Sequence, residues 1–293
     1  MKHVHGWRSL VALAATLPLL ASCGGAGAQS GSAGGTGPRV VASFYPLEYV
    51  AQRVVGDDAQ VQNLTAPGLE PHDLELTVQQ SAEIAEADIA FYEQGFQPAI
   101  DEGIEQADPE HVVEAGDVVS LEAEDPHFWL DPARMVKLAA AFRTEMSEVD
   151  PDHTARYRAN FESLRHDLER LDQDYDSGLA DCQIDTVVVS HDAFSYLGKF
   201  DLEFVAINGL SPDAEPSPAH IAELQDLVGS EGITTIFSET LASPELSETL
   251  AGDLGVTTGV LDPIEGLGEG TKSEDYLSLM RRNLTALQEA NRC

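Results

Sequence analysis

The segment from Pro151 to Leu179 constrains the fold more than any other. Tyr157, Phe161, Leu164, Leu168, Leu171, Tyr175 and Leu179 recur every three or four residues, with charged residues between them. Only an α-helix gathers that spacing onto one face. At 1.5 Å per residue the helix would span roughly 43 Å. Strand-like runs resume directly after it, so it reads as a connector between two bodies rather than as a coiled-coil arm.

Apolar runs alternate with helical patterns on both sides of that helix. Val40-Val41-Ala42-Ser43, Ala59 to Leu64, Asp88 to Tyr92 and Val112-Val113 read as strands in the first half. Tyr45 to Val55 and Thr77 to Ala87 carry helical spacing. In the second half, strands are expected at Thr186 to Ser190, Phe204 to Asn208, Ile233 to Ser238 and Thr257 to Leu261. Helices are expected from Asp192, Pro218, Pro244 and Ser273. Thr77 with Gln80 forms a capping box. Asp131-Pro132, Asp150-Pro151, Ser217-Pro218 and Ser243-Pro244 each set a capping side chain before a proline suited to the first helical position. The alternation predicts an α/β fold: two α/β lobes with parallel sheets, joined by one long rigid helix. The boundaries are 39–150 for the first lobe, 151–181 for the connector and 182–293 for the second lobe.

The first residues read as an address. Lys2 and Arg8 precede a mostly apolar run from Leu10 to Leu20, too short to span a bilayer, which takes ~20 residues. Leu20-Ala21-Ser22-Cys23 resembles the lipobox of bacterial lipoproteins. Residues 1–22 are therefore expected to be a signal peptide, with Cys23 lipidated after cleavage. Residues 24–38, GGAGAQSGSAGGTGP, have little to bury. With Cys23 they make a flexible tether reaching roughly 20 Å. These features place the chain outside the cytoplasm, held to the outer face of the cell membrane by lipid alone.

Charge narrows the partners. Acids number 51 and lysine plus arginine 16, for a formal charge of −35. Phosphate repels such a chain, so nucleic acid and anionic membrane surfaces are poor partners and cations suit it. Three cysteines are too few for a disulfide-built miniprotein. With Cys23 given to lipid, Cys182 and Cys293 remain, and thiols outside the cytoplasm usually pair. An internal bridge would fasten the C-terminus to the body. Two free thiols, or Cys293 pairing between molecules, are the other readings.

Open parallel sheets place ligands beyond the carboxyl ends of their strands. His191 follows the strand TVVVS. Asp262 follows the strand ending at Leu261. His72 lies between a strand and the helix capped by Thr77, and His127 lies just before the helix capped by Asp131. Two candidates per lobe can meet in one inter-lobe cleft. Three imidazoles and a carboxylate suit Zn²⁺, which accepts tetrahedral nitrogen and oxygen ligands. Taken singly, each histidine is weak ground. His111, His153, His166 and His220 lack a comparable setting and are read as ordinary surface or core residues.

PGLEPHDLELT around His72, DPHFWLDP around His127, SHDAFSYL around His191 and LDPIEGLG around Asp262 resemble the metal-binding segments of one family. That family is the zinc-uptake solute-binding lipoproteins, the cluster A-I receptors of ABC transporters. INGLSPDAEPSP (207–218) and FSET (237–240) are similar to the same family, and the likeness runs in order from about Val40 to the C-terminus. The resemblance implies two α/β lobes, a rigid connecting helix and a metal in the cleft. It carries over His72, His127 and His191 as ligands with Asp262 as the fourth, and histidine at the third position resembles zinc rather than manganese receptors. Glu239 is either a partner behind the ligands or a solvated or capping acid. Many zinc members carry a histidine-rich loop before the second histidine. Here Leu121 to Pro126 is LEAEDP, and its acids read as a solvated face that gathers cations weakly at most.

The expected function is a monomeric, lipid-anchored receptor that binds Zn²⁺ as cargo and delivers it to an ABC-transporter permease. It is not expected to be an enzyme. A manganese or iron receptor of the same family, a zinc-dependent hydrolase and an adhesive lipoprotein are the alternatives. No HExxH pattern supports the hydrolase.

Overall fold

The computed structural model describes residues 37–123 and 125–293. The expected signal peptide, Cys23 and nearly all of the tether lie outside the described residues, as does Glu124.

Two four-stranded, fully parallel sheets form the body. The first contains β1 (Arg39–Ala42), β2 (Gln60–Asn63), β3 (Ile89–Tyr92) and β4 (Val112–Glu114), in the order β2-β1-β3-β4. The second contains β5 (Thr186–Val189), β6 (Glu203–Ala206), β7 (Thr235–Ser238) and β8 (Thr257–Val260), in the order β6-β5-β7-β8. The two orders are the same pattern, so each lobe repeats the other's topology without a close sequence repeat. Central strands read as unbroken apolar runs because helices cover both faces. All of β5 is buried, whereas the edge strands β2 and β8 are largely open.

The covering helices in the first lobe are α1 (Tyr45–Val55), α2 (Val78–Ala85), α3 (Pro98–Ala107), α4 (Ala115–Val119) and α5 (Pro132–Val149). The connector is α6 (Thr154–Leu179). Helices α7 (Pro218–Glu231), α8 (Glu245–Leu254) and α9 (Tyr276–Asn291) belong to the second half. The Thr77–Gln80 capping box forms, and Asp131 and Ser217 accept from the backbone of their first turns.

Four starts differ from expectation, one of them α9, which begins at Tyr276 behind an Asp275 cap rather than at Ser273. Asp150-Pro151 opens a single 3-10 turn, and α6 begins at Thr154. Pro244 itself stands at the cap of α8, so Ser243 sits one residue too early. No α-helix follows Asp192. A 3-10 turn, Ser195–Phe200, forms instead and places Tyr196, Leu197 and Phe200 in the core.

Helix α6 buries the seven residues that predicted it. It is braced on both lobes rather than spanning open space. Asn160 Nδ2 donates to Val54 O of α1 at 3.0 Å, and Arg53 pairs with Asp167 at 2.8 Å. Further along, Tyr175 Oη donates to Met280 O at 2.7 Å and Gln288 Nε2 to Gly178 O at 3.1 Å, both on α9. One apolar cluster runs through both lobes, taking in Val40 and Ala42 of β1, Val187 and Val189 of β5, Trp129, Phe194, Leu261 and Tyr276. The Trp129 indole also donates to Pro263 O at 2.7 Å across the lobes. Cys182 and Cys293 are bonded as a disulfide, 111 residues apart in sequence. No described helix is long and apolar enough to cross a membrane.

Candidate metal centre

The cleft lies between the carboxyl ends of the two sheets. His191 follows β5 by two residues, and the Asp192 N–H bonded to Gly209 O at 3.0 Å fixes the turn after it. His72 stands on the loop between β2 and α2. Gln97 Nε2 holds that loop by donating to Pro71 O at 3.1 Å, and the Phe96 ring packs edge-on against the imidazole at 4.7 Å. His127 opens the short 3-10 turn Phe128–Leu130, whose three apolar side chains are fully buried. That burial pins the imidazole beside it.

The fourth member of the cluster is Glu265, not Asp262. The ligand atoms of His72, His127, His191 and Glu265 all lie within 4.8 Å of one another. Glu265 Oε1 is 3.4 Å from His72 Nε2 and 3.3 Å from both His127 Nε2 and His191 Nε2. Asp262 sits at the strand end, as expected, but it is not in that cluster: one carboxylate oxygen serves the turn, and the other, Oδ2, is buried without a partner. Its Oδ1 accepts from the Ile264 N–H at 2.8 Å, while its backbone N–H and C=O pair with the Asn283 amide at 2.9 and 2.6 Å. Ile264 is held at φ 60°, a left-handed conformation that costs a β-branched residue about 1–2 kcal/mol. The bent turn carries the chain past Asp262 and sets Glu265 in the cleft. The glutamate stands in LDPIEGLG, but the strand-end position and the family resemblance both pointed to the aspartate.

The four atoms Nε2 of His72, His127 and His191 and Oε1 of Glu265 are buried and have no hydrogen-bond partner. Buried polar atoms are ordinarily paired, so four unpaired ones around one point require an occupant. In a tetrahedral site the edge is 1.63 times the metal–ligand length. At ~2.0–2.1 Å for zinc, that edge is ~3.3–3.4 Å. The three Glu265–histidine distances match this edge, while the full set spreads to 4.8 Å, so a small tetrahedral cation would draw the imidazoles slightly inward around it.

A second layer orients the imidazoles. His127 Nδ1 lies 2.7 Å from Asp125 Oδ1, which also accepts the His127 backbone N–H at 3.0 Å. Ser195 Oγ donates to the other Asp125 oxygen from the opposite lobe, and Tyr196 Oη donates to Asp125 O at 2.8 Å. His191 Nδ1 lies 2.9 Å from Glu239 Oε2, and Ser190 Oγ donates to Glu239 Oε1 at 2.9 Å. The carboxylate hydrogen-bonded to His127 Nδ1 places the proton there and turns Nε2 into the cleft, whereas Glu239 faces His191 Nδ1 at ion-pair distance without hydrogen-bond alignment. Glu239 is buried, so it is not a solvated acid. Asp125 was expected on a solvated face and is buried as well. Glu122 does meet solvent, paired with Arg134. His111, His153 and His220 are engaged by Glu145, Asp150 and the Ala206 carbonyl, outside this group.

The electrostatics are coupled. Burial pulls the His191 imidazolium down, but Glu239 and Glu265 outweigh it and push the pKa up to about 10. His127 is raised too, burial being overcome by Asp125 and Glu265. Burial works to raise Glu265, yet the three histidines hold it well below the usual carboxylate range. Glu70, whose Oε1 is 3.9 Å from His72 Nε2, is pushed up to about 7, chiefly by burial.

Residues 40–290 match the family described as zinc-uptake complex component A, periplasmic. The chain is 36% identical over 275 residues to the zinc-binding lipoprotein AdcA of Streptococcus pneumoniae, covering 85% of this chain and 55% of that one. It is 32% identical to the high-affinity zinc uptake system protein ZnuA of Bacillus subtilis, over 97% of both chains. The crystal structure of the Zn(II)-bound ZnuA-like domain of the pneumococcal AdcA superposes with a TM-score of 0.78. The identity there is 35%, covering 88% of this chain and 100% of that one. The chain thus spans about half the length of the AdcA relatives.

Proposed function

The chain belongs to the family of periplasmic zinc-uptake components, and from that premise we propose that it is the extracytoplasmic receptor that binds Zn²⁺ and hands it to an ABC-transporter permease. In this reading Nε2 of His72, His127 and His191 and Oε1 of Glu265 hold the ion. Asp262 shapes the turn that presents Glu265. Asp125 orients the His127 imidazole, and Glu239 faces that of His191. The observation that carries the reading is the set of four buried, unpartnered atoms, three imidazole nitrogens and one carboxylate oxygen, gathered within 4.8 Å of one another.

The donor set favours zinc over manganese. Three imidazoles and one carboxylate satisfy a four-coordinate ion, whereas Mn²⁺ favours sites richer in oxygen. Four protein ligands also close the shell that a hydrolytic zinc would leave open to water. An adhesive role with a purely structural metal predicts that zinc removal unfolds the chain. A receptor stays folded when empty, and the apolar cluster shared by the lobes supplies that stability. The receptor works as a monomer held to the membrane through lipid on Cys23. Its parts are the lobes 39–150 and 182–293 and the connector 151–181.

Titration of Zn²⁺ and Mn²⁺ into metal-free protein lacking residues 1–23, beside His191→Ala, tests this. One tight equivalent of zinc, preferred over manganese and weakened by the substitution, is expected. No tight zinc site, or one indifferent to His191, contradicts it.

A further inference from the structure

A cavity of about 540 Å³ opens against the candidate metal centre, lined by His72, Glu93, Phe96, Pro126 and Leu210 among others. His72 is the one member of the four-residue cluster with appreciable exposure, its side chain 13% open against 0–1% for the rest. Beside His127 the two lobes are tied together. The Glu122 N–H donates to Tyr196 Oη at 2.9 Å, and Ser195 and Tyr196 both bind Asp125. The cavity beside His72 is therefore the approach that touches an exposed ligand, while a second cavity lies behind His191, against Ser190 and Glu239.

Glu93 stands on the wall of that cavity, one residue beyond the end of β3. It is 1% exposed, and neither carboxyl oxygen has a hydrogen-bond partner. An unpaired buried carboxyl costs several kcal/mol relative to water, so one beside a cavity requires a reason. Its acidic neighbours are otherwise engaged. Glu114 Oε1 accepts from the Gln94 and Gly116 N–H groups at 3.0 and 2.9 Å, and Asp101 Oδ2 accepts from the Gly95 N–H at 2.9 Å. Burial, with Glu114, Asp125 and Asp101 nearby, holds the Glu93 carboxyl well above the usual range. Burial opposes a lone charge of either sign there, and the acidic neighbours oppose a further anion, so a cation meeting the carboxylate answers both.

We propose that Glu93 is a transit ligand for divalent cations, a single carboxylate that catches the ion inside the cavity before it passes to His72. The proposal rests on the zinc-receptor reading. When the cation binds, the carboxyl gives up its proton to solvent and takes the metal's charge in exchange. One carboxylate with water completing the shell holds an ion weakly, as a passage requires. The only compact group of metal-ligating side chains among the described residues is the four-residue centre, so Glu93 has no partners with which to trap the ion.

The test is the zinc association rate, followed by stopped-flow competition with a fluorescent chelator, using Zn²⁺ alone as probe. Glu93→Gln is compared with wild type and with Glu105→Gln, an exposed acid on α3 that controls for the loss of one charge. An amide cannot exchange a proton for the ion, so Glu93→Gln, which removes the one ligand on the way in, is expected to slow association about tenfold, the low end of what groups lining a cleft contribute to capture rates. Dissociation should slow in parallel, leaving the equilibrium affinity within about threefold because the final ligands are untouched. Glu93→Leu, which removes the buried polar group altogether, should slow association in the same way, and melting curves establish that each variant is folded. Association at the wild-type rate in the folded variants, or slowed no more than in Glu105→Gln, overturns the proposal. Lost affinity with unchanged association also overturns it, because Glu93 would then act on the centre itself. If wild type binds no zinc, it is the receptor reading that fails.

Discussion

Raising the pH above neutrality should strengthen zinc binding well beyond the point where ordinary histidines have finished titrating. The His191 pKa is pushed up to about 10. At pH 7 its imidazole is protonated, and zinc must displace that proton. Three pH units of competition weaken apparent affinity by about 10³, on the order of 4 kcal/mol. His127, raised for the same reason, adds to the effect. Apparent affinity is expected to climb about tenfold per pH unit between pH 7 and 8.5 for each proton displaced. Histidines with an ordinary pKa of ~6.5 would leave it flat there. Calorimetry in two buffers of different ionisation enthalpy counts the protons released, and chelator competition across the same range gives the slope. At least one proton per zinc is expected at pH 7.5. None, with flat affinity above pH 7, refutes the coupling of His191 to Glu239 and Glu265. The same shifts act on the metal-free fold. The raised histidines stabilise it below their unfolded pKa of ~6.5, and His191 withdraws that support as pH rises toward about 10. Glu265 works the other way, contributing above its unfolded pKa of ~4.3 and losing the contribution as pH falls through its depressed folded value.

Other substitutions separate ligands from supports. Asp125→Ala should weaken zinc binding about 10–100-fold in equilibrium titrations, because His127 loses the group that orients it. Asp262→Ala should lower the melting temperature by loosening the turn at Ile264, with a smaller loss of zinc affinity than Glu265→Ala. Cys182→Ser opens a disulfide closing a sequence separation of 111 residues. The loss is up to about 4.7 kcal/mol in denaturant unfolding, with zinc affinity nearly unchanged. Metal-free and zinc-loaded protein should scatter X-rays with nearly the same radius of gyration, because α6 is anchored on both lobes and the lobes share one core. A wide closure on binding would contradict that.

The fold was legible where periodicity and caps agree. The seven buried residues of α6 are the seven that recur at helical spacing, and every strand fell within a few residues of its run. Local pattern failed where tertiary packing decided. The stretch after Asp192 has helix-compatible residues, but it forms a 3-10 turn in which Tyr196, Leu197 and Phe200 are buried and Tyr196 Oη bonds Asp125 O of the other lobe. Three of the four cluster members stood out by position after strands or before caps. Glu265 did not, because the bend at Ile264 that brings it inward is a backbone conformation no periodicity records. Asp125 was hidden differently. Its acidic neighbours mimic a solvated run, and only the contacts from Ser195 and Tyr196, about 70 residues on, show that it is buried.

The central claim is that one zinc ion is held by Nε2 of His72, His127 and His191 and Oε1 of Glu265. Anomalous diffraction at the zinc edge from zinc-loaded crystals addresses it directly. A single peak about 2.0–2.1 Å from those four atoms, with Asp262 outside the shell, is predicted. Zinc bound to Asp262 in place of Glu265, or a peak away from His191, would contradict it.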